Sequence, residues 1–114
     1  MATLRLFWVQ CNDQQESGSD EIQFRFLDTN DGGRGSTNVI TSMDDGDRFQ
    51  PMTDRFTSDG AVVVSLYEVD AASNPDDYID SVTLRFDPSE AGENKTAVFQ
   101  GNGAEYLLRY DIIA

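Results

Sequence analysis

The sequence predicts an all-β protein, an eight-stranded antiparallel β-sandwich, with a small β-barrel as the other architecture its pattern permits. Hydrophobic residues alternate with polar ones along most of the chain, the period-two signature of half-buried strands. These runs are separated at short intervals by clusters of Gly, Asn, Asp, Ser and Pro, the residues that turns use. No segment of useful length carries a helical period, and ASNPDD and DPSEAG have room for one helical turn at most.

The elements follow in order. In residues 3–11, Leu4, Leu6 and Trp8 alternate with Arg5, Phe7 and Val9, which predicts a strand with both faces partly covered. Residues 12–20 form a polar loop. Ile22, Phe24 and Phe26 alternate through a second strand, and the Gly-rich TNDGGRGS is a turn. Residues 37–43 are a weaker strand, broken by the acidic turn Asp44-Asp45-Gly46-Asp47. A short strand near 53–57 closes on Ser58-Asp59-Gly60, a hairpin signal. Residues 61–69, AVVVSLYEV, read as a central strand. A long polar loop, DAASNPDDYID, precedes the strand of Val82, Leu84 and Phe86, and DPSEAGENK separates that from a strand at 96–100. Gly101, Asn102 and Gly103 make a tight turn into the last strand, 104–113.

A chain of 114 residues that is 39% hydrophobic, with seven Phe, four Tyr and one Trp, is expected to build one core and one domain, 1–114. Cys11 is the only cysteine, so no internal disulfide forms, and it is expected to fill core space. No signal peptide and no membrane-spanning stretch is read, which points to a cytoplasmic protein or a soluble module of a larger one.

Charge narrows the function. Eight basic residues against 21 acidic ones give −13, a surface that repels phosphate, so nucleic acid is not an expected partner and binding to anionic membranes is weak. There is no His, hence no Ser-His or Cys-His pair and no imidazole base, and the chain is not expected to be an enzyme. Asp outnumbers Glu by 15 to 6. Asp is short, favours turns and suits hard cations.

Two acidic loops stand out. One runs from Asp13 to Asp20, with Glu16 and Glu21 beside it. The other runs from Glu68 through Asp70 to Asp76, Asp77 and Asp80. Each begins where one strand ends and closes where the next begins. Glu68 and Asp70, two apart on a strand, share a face. Like charges so gathered repel, and a divalent cation removes that cost. Calcium accepts six to eight oxygens in loose geometry, whereas zinc prefers the His and Cys that are scarce here. As isolated residues, the same acids are ordinary turn formers. Asp28-Thr29-Asn30-Asp31-Gly32-Gly33 is not an EF-hand, because Val39 stands where the bidentate Glu belongs. Trp8 is expected to pack on a strand face.

These loops resemble those of the C-two domain, the calcium- and lipid-binding sandwich. Asp13, then Gly18-Ser19-Asp20 opening a strand, is similar to that family's first loop. Glu68-Val69-Asp70, then Asp77-Tyr78-Ile79-Asp80, is similar to its third. Cys11, the GSDE string and YEVD also resemble small bacterial members of uncertain function. The resemblance implies Ca2+ ligands at Asp13, Asp20, Glu68, Asp70 and Asp77, with Asp76 as a substitute for Asp77. The departures are a Glu at 68 where the family has Asp, Asp80 where it has Gly, and loops each one residue longer. The polar tips also lack the apolar residues that relatives insert into bilayers. Two other functions fit the composition: a metal-free domain whose acidic surface, or an edge strand such as 37–43, engages a basic or strand-donating protein partner, and an acid-adapted structural sandwich of a high-salt organism.

Overall fold

Alternation becomes structure wherever one face of a strand is covered. The computed structural model describes residues 2–14, 20–69, 76–86 and 91–113. Among the described residues lie ten strands: β1 Ala2–Asp13, β2 Asp20–Asp28, β3 Arg34–Ser36, β4 Ile40–Met43, β5 Arg48–Phe49, β6 Arg55–Ser58, β7 Ala61–Glu68, β8 Asp77–Arg85, β9 Gly92–Gly101 and β10 Ala104–Ile113. There is no helix among the described residues, and none long and apolar enough to cross a membrane.

The strands form two antiparallel sheets. In the first, β1 pairs with β10, β10 with β9, and both β5 and β6 lie along the free side of β1. In the second, β2 pairs with β7, β7 with β8, and β3 and β4 both lie along the free side of β2. The ten described strands thus fill eight positions, because each sheet has one edge made of two short pieces. Between β5 and β6 the edge is broken around Pro51, which has no N–H for the ladder. Backbone bonds from Met52 to Phe7 and from Leu6 to Asp54 bridge the gap. No ladder joins the sheets among the described residues, so the molecule is a sandwich and not a barrel.

The inward rows make the core: Leu4, Leu6, Val9 and Cys11 on β1, Ile22, Phe24 and Phe26 on β2, Val62, Val64 and Leu66 on β7, Tyr106 and Leu108 on β10. Phe24 and Phe99 meet edge to face between the sheets, with ring centroids 5.3 Å apart.

Four local expectations change. Ser58-Asp59-Gly60 is a tight reversal but not a hairpin, since β6 belongs to the first sheet and β7 to the second. The turn chemistry reports a reversal and says nothing about which sheet receives the chain. Residues 34–36, expected in a turn, pair with Arg25 to Leu27. β9 begins at Gly92, inside the segment expected as loop. β8 likewise begins at Asp77 instead of near Val82, because Ser65 to Glu68 offer a ladder that residues 77–81 complete. The turn at 101–103 is as expected. Asn102 and Gly103 both take positive φ (52° and 82°), as a two-residue hairpin requires.

Where β8 meets β9 the sheets pinch together. The Gln100 N–H donates to Asp80 Oδ2 at 3.0 Å, and a Cβ on Gly101 would lie 2.1 Å from the Ile79 carbonyl oxygen. Gly101→Ala is therefore expected to lower stability by about 1–3 kcal/mol, the usual cost of overpacking. A urea midpoint equal to that of the parent would mean the seam opens freely.

At the far end of β2, Asp28 Oδ1 accepts the Asn30 N–H at 2.8 Å. That bond holds the carboxyl below its ordinary value of 3.8; burial opposes it, while the Ser58 hydroxyl and the Asp31 N–H assist. A carboxylate with a depressed folded pKa stabilises fully above its unfolded value, and the effect is lost as pH falls through the folded value. Asp28→Asn should lower Tm near neutral pH, and the gap to the parent should close below 3.8. A gap that stays constant into acid would refute this origin.

Candidate metal centre

One end of the sandwich receives the end of β1, the start of β2, the end of β7, the starts of β8 and β10, and the turn between β4 and β5. Asp20 opens β2 on the inward row and is fully buried; its Oδ2 accepts the Tyr106 hydroxyl at 2.6 Å. Glu68 ends β7 on the same inward row, 2% exposed, and its Oε2 accepts the Glu21 N–H at 3.1 Å. Asp77 lies directly opposite Glu68 in the β7–β8 register, and Ile22 lies opposite it on the other side. Directly opposite residues share a face. Asp13 ends β1, exposed, opposite Glu105.

Asp76 is drawn elsewhere. It is ion-paired with the Arg25 guanidinium, which stacks 3.9 Å over the Tyr67 ring and bonds Gln23 Oε1 on the outer face of the second sheet. Asp70 lies outside the described residues. Among the described residues, no three Asp, Glu, Cys or His side chains are gathered closely enough to hold an ion. Asp20 and Glu68 are thus the members of the expected set that the described fold buries on its inward face.

Two features of this end depend on tertiary pairing. One is the turn at 44–47, expected as a solvated reversal that could join the site if it lay at the same end; it lies beside the end of β1 and Gln14. Cys11 N–H donates to the Asp47 carbonyl, Gly46 N–H to the Cys11 carbonyl, and Gln14 N–H to Asp45 Oδ1. Its position depends on β4 pairing with β2 and β5 with β1, which no local pattern encodes. The other is Tyr106, which reaches Asp20 across 86 positions of sequence and from the opposite sheet. Tyr106 falls within the strand expected at 104–113; nothing in the pattern marked its hydroxyl.

Tyr106 stays a donor. Burial first, then the bond to Asp20, pushes its pKa far upward. Burial also pushes the Cys11 thiol up to about 11; the bond to Tyr106 lowers it, while Asp20, Asp45 and Asp13 raise it. Cys11 is a buried core thiol, not a nucleophile at neutral pH.

No protein-family model matches the chain, and no curated protein matches it. Solved structures do. The chain resembles part of human GIVD cytosolic phospholipase A2, in a structure with methyl gamma-linolenyl fluorophosphonate inhibitor and terbium chloride. The TM-score is 0.59 at 17% identity, over 97% of this chain and 17% of that one. The same phospholipase with methyl gamma-linolenyl fluorophosphonate gives 0.57 at 18% identity, over 97% of this chain and 16% of that one. At this identity the likeness is one of fold. The chain spans about a sixth of the length of the phospholipase it resembles.

Proposed function

We propose that the chain is a non-catalytic C-two-like module, one domain over 1–114, that binds calcium at its acidic end. The observation that carries this reading is the placement of Asp20 and Glu68, two buried carboxylates turned inward where both acidic loops begin or end. Oxygen donors only, from several segments, suit a hard cation that tolerates irregular geometry. Asp13, Asp77 and Asp70 are the further ligands the loop pattern implies, and Asp76, held by Arg25, is a poorer one. Terbium, present in one solved structure of similar fold, is likewise a hard, oxygen-preferring cation. Binding would bring the two loops together and stabilise the folded state by mass action.

Millimolar calcium is expected to raise Tm by an amount that grows with concentration. Glu68→Gln and Asp70→Asn should each abolish most of the rise, and magnesium should give less. An unchanged midpoint in calcium, with flat calorimetric titration, would rule the module out as a calcium binder. A rise of equal size in potassium chloride would favour the salt-adapted alternative.

A further inference from the structure

Half of the eight basic residues of this acidic chain lie on one face. Arg5, Arg48, Arg55 and Arg109 all stand on the outer side of the first sheet. A bulge between Leu6 and Trp8 turns Phe7 and Trp8 outward among them. Arg48 lies 3.9 Å over the Trp8 ring and Arg109 4.1 Å over Phe7, with Arg5 at 5.1 Å from the same ring. Arg109 is neutralised by Asp111 at 3.2 Å, and Arg48 donates to Gln10 Oε1.

Arg5 and Arg55 are different. They are direct partners in the β1–β6 register, so two like charges share a face across neighbouring strands. Such pairs are destabilising. Among the described residues neither has an ion pair. Both line a cleft of about 180 Å³ with Phe7 and Met52, and Asp54 is the one acid lining it among the described residues. A carboxylate lying between the two guanidiniums would turn this repulsion into paired, charge-assisted bonds, for which the guanidinium fork is well shaped.

We propose that this face docks a short acidic segment of a protein partner, with carboxylates bridging Arg5 and Arg55 and flanks lying over Phe7, Trp8 and Arg48. Size decides against longer polyanions. The four arginines span three neighbouring strand positions, roughly 10 Å across, and about five residues of β1, roughly 17 Å along. Charges are screened over about 8 Å at physiological salt. A nucleic acid or an anionic bilayer runs past the patch into the field of a −13 molecule. The Phe7 and Trp8 rings also carry guanidiniums already, which leaves less open ring for stacking bases. A second copy of this chain has the acids but brings the same net charge.

The test uses the full chain in chelator, which makes it independent of the calcium reading, and a fluorescein-labelled octaglutamate peptide followed by anisotropy. Saturable binding is expected, weakening as salt rises. Arg5→Gln with Arg55→Gln should weaken it by at least about tenfold, the equivalent of one lost charged bond. Arg34→Gln with Arg85→Gln, on the other sheet, makes the same change in net charge, from −13 by two units to −15, and should leave binding unchanged. If the double variant folds poorly, Arg55→Gln alone, at an exposed position, should move affinity in the same direction. Absence of saturable binding, equal weakening by both pairs, or tighter binding to octauridylate or phosphatidylserine vesicles than to the peptide would each overturn the proposal.

Discussion

Phe24→Ala is expected to cost about 3–5 kcal/mol, the range for emptying a buried phenylalanine site. Phe24 and Phe99 are both fully buried, and their rings are an edge-to-face contact that ties the second sheet to the first. Truncation removes the transfer gain of the ring and leaves a cavity that β-sheets, held by their ladders, collapse into poorly. Typical domains have only about 5–15 kcal/mol to lose. Urea unfolding followed by tryptophan fluorescence should give a markedly lower midpoint with an unchanged slope. Val98→Ala on the same strand as Phe99, at a side chain 50% exposed, should change the midpoint little. Comparable losses in the two variants would mean that the contact between the sheets is not where the stability lies.

Tyr106→Phe removes one oxygen and should cost about 1.5–3 kcal/mol, the range for a hydrogen bond to a charged group. The ring stays, so packing is conserved, and the cost falls on Asp20, a buried carboxylate that loses the 2.6 Å donor holding it. Two further measurements locate the cost. Asp20→Asn in the Tyr106→Phe background should recover part of the loss, because a neutral amide is less expensive to bury than a carboxylate with one donor fewer. If Asp20 is a calcium ligand, the deficit should also shrink in millimolar calcium, since the ion compensates the charge. A Tyr106→Phe variant as stable as the parent would mean the hydroxyl positions nothing.

Much of the fold was legible in the residues. Ile22, Phe24 and Phe26, or Val62, Val64 and Leu66, can bury only one way in a strand, so period-two runs define both the elements and their inward faces. Errors fell where polar residues form strands. Asp77 to Ser81 lack an apolar row long enough to see, yet they pair with β7 because its unpaired backbone groups need partners. Residues 34–36 join β2 for the same reason. The acidic loops were legible as composition, because Asp in turns is a local choice. Their partners were not: Arg25 reaches Asp76 across 51 positions and diverts it from the expected site.

By itself, the sequence determined an all-β chain, strongly acidic, with Asp collected at loop ends and aromatic residues committed to one core. Those properties are local or additive, read from periodicity, turn chemistry and charge. Only the tertiary structure decided that eight positions are filled by the ten described strands, and that Ser58-Asp59-Gly60 crosses between sheets. Tertiary pairing also brings Tyr106 to Asp20 at the acidic end and sets Arg5 across from Arg55 on the outer face. Each of these depends on which strands become neighbours, and that is chosen by burying all the apolar rows at once, a condition on the whole chain that no single segment states.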